Sequence, residues 1–377
     1  MSPEPGPLSP IQCAVLRGPW SWFLVTRLVI ALIGVVGVAT FVNQHTGLVG
    51  DASALHPQIV WHKWDSLWYE RIAQHGYGYQ VDDIKGQAAA GFFPLYPMAI
   101  GVLMSVLPSL SFFWIAVVVS NLFTLAALWL MTRELCRDAE QVDRVMIATL
   151  AAAGSFYLSI PYTESLFLLL VAGVMVCVRR RWILVAAALA GLSCVTRVHG
   201  FALLAVPAIA VLVERDRSIG RRLGRFALVA MVSAVPVAMY MFYLAQVQGS
   251  AEAFVTRQAM WNNAFPYPLK AFVGLLDYPR RISGWLHGGF WMLYAWVLTR
   301  AWRRLPLGEA VFCAGALLIS TQQESFHGIY RYTMPLVPLA IGLSDDTPAV
   351  RTAVMVINLI FGTIMILAYV TNNRLTV

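Results

Sequence analysis

Apolar residues run along this chain in long stretches, separated by short polar clusters. The stretches cover 20–42, 112–132, 145–159, 161–178, 182–196, 199–213, 226–245, 285–299, 305–320, 333–343 and 352–371. About 20 apolar residues in a helix cross the ~30 Å hydrocarbon core of a bilayer. The pattern therefore predicts an all-α integral membrane protein, a multi-pass helical bundle of about eleven (10–12) transmembrane helices. The first run is too long for a signal-peptide core and lacks a small-residue cleavage site, so it is expected to be a retained helix. Residues 1–377 are expected to form a single polytopic domain, with 1–19 a flexible cytoplasmic tail.

Composition agrees with the pattern. The 377 residues are 59% hydrophobic and 12% charged, with mean hydropathy +0.67, whereas soluble domains carry roughly 25% charged residues. The net charge of +8 is gathered in short basic clusters between apolar runs, which points to membrane topology rather than nucleic-acid binding. Cys13, Cys136, Cys177, Cys194 and Cys313 show neither pairing nor metal spacing and are expected to act as small apolar residues.

Basic clusters mark the cytoplasmic side. Arg179 to Arg181, the group from Arg215 to Arg225, and Arg300 with Arg303 and Arg304 are the clearest; Arg133, Arg137 and Arg144 form a weaker one. Two spans separate consecutive clusters, which leaves outside a large first loop (43–111), the segments 159–165 and 196–200, a second long loop (246–284), and 322–333. The apolar part of 92–108 after Pro97 is only about half the length that spanning needs, so the first loop is expected to carry juxtamembrane or re-entrant helices. Nearly every unusual polar group then falls on one face.

The first of these groups is "WHKWDSLWYERIAQHGYGY", Trp61 to Tyr79. A helix over 62–75 puts Asp65, Trp68, Tyr69 and Ile72 on one face. Tryptophan and tyrosine suit the headgroup zone, but a carboxylate among interfacial aromatics is costly without a partner or a task. "YTES" places Tyr162 and Glu164 at the outer end of a helix, where an acid also favours the positive dipole end. "TRVHG" places Arg197 and His199 at an external turn. Arg197 there needs an anionic partner, either a phosphate or a carboxylate such as Glu164. "QQESFHGIYRYT" adds Glu324, His327 and Arg331, the last two at i, i+4 spacing, and "QAMWNNAFPYP" is polar and aromatic enough to line a groove. No metal motif or serine elbow is present, and neither a cofactor nor a divalent metal is expected. A carboxylate with arginines and a histidine at a membrane surface suits group transfer from a lipid phosphate. That reaction needs a base for the acceptor hydroxyl and cations for the departing phosphate. A transporter or flippase for lipid-linked sugars is the alternative of a different class. Such proteins place polar groups near the bilayer midplane and commonly show internal repeats.

In chain order, "WDSLWYERIAQHGY", "GFFPLYP", "PYTESLFLLL" and "AALAGLSCVTRVHG" resemble the PIG-V-like family, glycosylphosphatidylinositol mannosyltransferase II and its prokaryotic relatives, within the GT-C class. The resemblance covers roughly residues 15 to 213. It implies inverting transfer of mannose from a polyprenyl-phosphate-mannose donor, with Asp65 of "WDS" as the base in the first external loop. The family's Thr-Arg-Pro pattern appears here as Thr196-Arg197-Val198, keeping the arginine and losing the proline. On this basis Arg197, His199, Arg331 and His327 are expected on the donor phosphate. Trp64, Trp68 and Tyr69 would frame the sugar or seat their helix, and Glu164, with Tyr162 beside it, would serve the acceptor or orient an arginine. Another lipid-linked sugar is the alternative within the class. The expected partners are membrane lipids, the lipid-linked donor and a lipid or glycan acceptor. The expected location is a bacterial plasma membrane, or the endoplasmic reticulum in a eukaryote, with the site on the external or lumenal face.

Overall fold

The computed structural model describes residues 19–44, 56–78, 89–214, 218–258, 269–277, 282–322 and 325–373. The tail over 1–18, the segment "WNNAFPYP" and Glu324 lie outside the described residues.

The chain is helical. Among the described residues, four helices are long and apolar enough to cross a membrane. They are α1 (Pro19–Thr40), α4 (Phe112–Leu130, continued by a π turn to Leu135), α8 (Ile219–Gln248) and α13 (Pro348–Val370). Leu24, Leu28 and Leu32 of α1, and Met231, Val235, Met239 and Phe242 of α8, point outward. Such continuous apolar faces are a liability in water and are the natural surface in lipid. The protein is an integral membrane protein.

Further helices complete the bundle: α3 (Leu95–Val106), α5 (Ala139–Leu150), α6 (Glu164–Arg179), α7 (Ile183–Cys194), α9 (Ile282–Ala301), α10 (Leu307–Ile319), α11 (Ile329–Thr333) and α12 (Val337–Ser344). The central helix is α6, apolar and buried nearly all round, and packed between α4 and α7. A helix without a polar face has to be enclosed in this way. At 12 residues α3 is about 18 Å long, short of a bilayer core.

Two predicted spans are not continuous helices. The run 145–159 ends its helix at Leu150 and turns through 151–154 into a 3-10 turn at Ser155–Leu158. The run 333–343 is split into α11 and α12 around Pro335. Proline withholds an N–H and disfavours helix in the residue before it. Non-helical backbone inside a bilayer is tolerated only where protein covers it, and here the Gly154 turn packs against the backbone of Tyr330 and Arg331 in the short helix Ile329–Thr333.

The bundle has two chemically distinct ends. At one end Arg179 donates to the Leu135 carbonyl (3.0 Å), Arg180 pairs with Glu134 (2.5 Å), Arg137 with Asp345, and Arg300 with Asp346 (2.7 Å). Trp22, near the start of α1, reaches Asp143 at the same end (3.0 Å). At the other end Val370 and Thr371, closing α13, accept from Lys63 Nζ and the Gln44 amide, both at 2.9 Å. Since α6 runs from Glu164 to Arg179, the acid stands at the end opposite the arginine clusters.

Candidate active site

Asp65 opens α2 (Asp65–His75), which buries Trp68, Tyr69 and Ile72 as the spacing predicts. The helix begins at Asp65 rather than at 62, because Trp64 holds φ 59°, ψ −119°. A non-glycine residue there stores roughly 1–3 kcal/mol of strain, sustained only when the surroundings over-determine it. They do so here: Tyr162 Oη donates to the Lys63 carbonyl (2.8 Å), Tyr369 Oη to the Trp61 carbonyl (3.1 Å), and Lys63 Nζ to the Val370 carbonyl. Burial pulls the Lys63 ammonium down to about 8. Three hydrogen bonds, two to α13 and one to the segment before α6, thus clamp the turn that aims Asp65.

Asp65 belongs to a quartet of charges. Arg331 donates from Nη2 to Asp65 Oδ2 (2.9 Å) and from Nε to Glu164 Oε1 (2.7 Å). Arg197 Nη1 meets the same Glu164 oxygen at 2.6 Å and donates to Thr163 Oγ1 at 2.9 Å. Side-chain exposure rises across the set, from 0% at Glu164 and 7% at Arg197 to 12% at Arg331 and 28% at Asp65. Two carboxylates and two guanidinia sum to zero, which is what allows Glu164 to be wholly buried. Asp65 is the open member, and its Oδ1 makes no hydrogen bond among the described residues.

Aromatic rings surround the quartet. The Arg331 guanidinium lies over Tyr157 (4.8 Å) and Tyr162 (4.9 Å), and Arg197 over Tyr332 (5.5 Å); the ring faces attract both cations. Burial alone would pull Arg331 down, but Glu164 and then Asp65 outweigh it and hold its guanidinium well above the usual arginine range. The His199 ring lies against that of Tyr332, 4.5 Å between centroids and tilted by 30°. Burial, then Arg197 and Arg331, hold His199 well below the usual histidine range, so its imidazole is neutral. Among the described residues neither of its ring nitrogens finds a partner, nor do Glu164 Oε2 and Trp64 Nε1. Buried polar atoms are normally paired, so these four are exceptions.

No family model matches the chain, and no curated protein does. A solved structure shares its fold. The similarity is to ArnT from Cupriavidus metallidurans bound to undecaprenyl phosphate, with a TM-score of 0.52 and 16% identity over 89% of this chain and 62% of that one. The present chain therefore spans less than two thirds of the ArnT chain it matches. The likeness is one of architecture, a GT-C-like multi-pass helical membrane fold.

In this GT-C-like frame, Asp65, Tyr162, Glu164, Arg197, His199 and Arg331 come together although they lie up to 266 positions apart in the chain. Arg197 takes the carboxylate partner that its external position left open. Trp68 is buried and stacked on Phe92, and Tyr69 is wedged edge-on against Phe92, Tyr96 and Tyr162, so both rings pack α2 in place. The i, i+4 helical pairing of His327 with Arg331 does not form. Gly328, at φ 76°, separates His327 from α11, and the His327 ring lies 5.0 Å from that of His287. Tyr157, Tyr330, Tyr369 and Lys63 are not singled out by the sequence. "SFYLSIPYTES" and "GIYRYT" carry a visible tyrosine density, but nothing in the sequence says these rings face one another. Among the described residues no group of three metal-ligating side chains forms.

Proposed function

We propose that the protein is a membrane glycosyltransferase of the PIG-V-like kind. In this reading it moves mannose from a polyprenyl-phosphate-linked donor to a hydroxyl of a lipid- or protein-linked acceptor on the external face. The observation that carries the reading is Asp65, a carboxylate with one oxygen tied to Arg331 and the other open, at the exposed edge of a buried charge quartet. The arginine clusters at the far end of the bundle support an external site, since such clusters stay in the cytoplasm. The fold supports the donor class, because the ArnT structure of the same architecture is bound to undecaprenyl phosphate.

Asp65 Oδ1 accepts the proton of the acceptor hydroxyl as that oxygen bonds to the anomeric carbon. The bond from that carbon to the phosphate oxygen breaks, and the lipid phosphate leaves with the electron pair. One displacement inverts the anomeric centre. Arg331 holds Asp65 in register, and N–H groups of Arg331 and Arg197 not engaged with carboxylates face the leaving phosphate, with neutral His199 as a further donor. Glu164 keeps the two arginines in place.

Asp65→Asn, nearly isosteric and unable to take a proton, is expected to lower transfer by about 10²–10⁴-fold with folding unchanged. Mass spectrometry of lipids and glycoproteins from cells bearing the native protein, the variant or neither is the measurement, and the signal is a lost hexose. Near-normal hexose addition by Asp65→Asn would sink the assignment.

A further inference from the structure

A cavity of about 290 Å³ lies between α5, α9, α12 and α13. None of Asp65, Glu164, Arg197 or Arg331 lines it. Close-packed interiors hold few voids larger than a water molecule, and ligand clefts begin at ~300 Å³, so this is too large for a packing flaw. Its walls are apolar, formed by Ile147, Ala151, Val297, Leu339, Leu343 and Met355. At the inner end Tyr294 Oη donates to Asn358 Oδ1 (3.0 Å), Asn358 Nδ2 to the Val354 carbonyl (2.9 Å), and Thr333 Oγ1 to the Ile329 carbonyl (3.1 Å). Those polar groups are engaged with one another and with backbone, which leaves the inner end suited to hydrocarbon.

The mouth is different. Arg144, Ser344 and Arg351 line it, at the end of the bundle that carries the arginine clusters. Arg144 Nη1 and Arg351 Nη1 both donate to the Ser344 carbonyl at 3.3 Å, and Arg351 Nη1 also to the Asp346 carbonyl at 2.7 Å. Two guanidinia therefore converge on one neutral oxygen. Arg144 also pairs with Glu140, whereas Arg351 pairs with no carboxylate among the described residues. Arg351 further stands in the first turn of α13, where the positive end of the helix dipole disfavours a cation and favours an anion. Thr352 is exposed and Ala340 and Met355 are half-buried, so the cavity opens toward the outside of the bundle. From Arg351 to Asn358 along α13 is about 10 Å, an apolar slot with a cationic rim.

We propose that this cavity binds an anionic phospholipid from the leaflet at the arginine-rich end, its phosphate between Arg144 and Arg351 and one acyl chain lying along the slot toward Asn358. Charge and shape select for both parts of the ligand together. The anion completes the two convergent guanidinia, and methylenes fill a void whose walls are mainly apolar. The proposal is independent of the transferase reading, because neither arginine belongs to the Asp65 quartet.

The test uses the full chain, purified in detergent and stripped of lipid, with native mass spectrometry and thermal unfolding as readouts. The probes are phosphatidylglycerol, phosphatidylcholine, palmitate and inorganic phosphate. Phosphatidylglycerol is expected to be retained about tenfold more strongly than phosphatidylcholine. Arg351→Gln should erase that preference, and Ala340→Phe, which fills the slot, should lower retention of both lipids. Equal retention of the two lipids by the native protein, unchanged preference in Arg351→Gln, or undiminished retention in Ala340→Phe overturns the site. Palmitate bound as tightly as phosphatidylglycerol overturns the phospholipid assignment. Full stabilisation by inorganic phosphate alone overturns the seat for the chain. If Arg351→Gln does not fold, the Ala340→Phe and phosphate comparisons still decide.

Discussion

Glu164 shows how much a single buried charge can organise. One of its oxygens receives both arginines, and the side chain is wholly enclosed. Removing one partner of a buried ion pair costs about 3–5 kcal/mol, because the survivor is stranded. Glu164→Gln is therefore expected to destabilise the protein by that order, seen as a lower thermal midpoint in detergent. Adding Arg197→Gln should recover part of the loss, since it removes the stranded cation. Strictly additive losses in the double variant would rule out the coupling. "YTES" and "TRVHG" marked both residues as out of place in an apolar chain. Their pairing was one of two options, because a phosphate and a carboxylate satisfy an arginine equally well.

Among elements, the broken segments matter more than the long helices. The turn around Gly154 touches the backbone of Tyr330 and Arg331 so closely that a Cβ at Gly154 would meet the Tyr330 carbonyl oxygen and the Arg331 Cα. Backbone cannot swing aside as a side chain can, so α11 must shift. Gly154→Ala is expected to cost about 1–3 kcal/mol of stability and to carry Arg331 away from Asp65, lowering hexose transfer. A variant with the native midpoint and native transfer would refute the contact. Hydrophobicity over 145–159 and 333–343 reads as spans because nearly every residue there is apolar. Composition cannot distinguish a continuous helix from a turn that other helices keep dry. Pro335 was the local signal for one of the two breaks; Gly154 was a weaker signal for the other.

For the whole molecule, the separation of its two ends makes a topological prediction. Single cysteines placed at His56 and at Arg181, both exposed, in a background lacking the native cysteines, should label from opposite sides of intact cells. A membrane-impermeant thiol reagent is expected to reach position 56 from outside and position 181 only after lysis. Both labelling from one side would overturn the orientation. The same measurement decides which leaflet supplies the lipid at Arg351, so it links the two proposed sites.

Sequence alone determined the solvent. Continuous apolar runs, 12% charge and clustered arginines leave a helical membrane bundle as the economical solution, and the same clusters divide its polar groups into two ends. Sequence also singled out Asp65, since a carboxylate among tryptophans has no cheap explanation in lipid. It could not pair the charges, because Asp65, Glu164, Arg197 and Arg331 sit in four separate segments and only packing brings them within 3 Å. Nor could it reveal the tyrosines that cradle Arg331, the clamp that strains Trp64, or the slot beneath Arg351. Each depends on non-local contacts, and the hydropathy of a segment carries no information about which other segment it will touch.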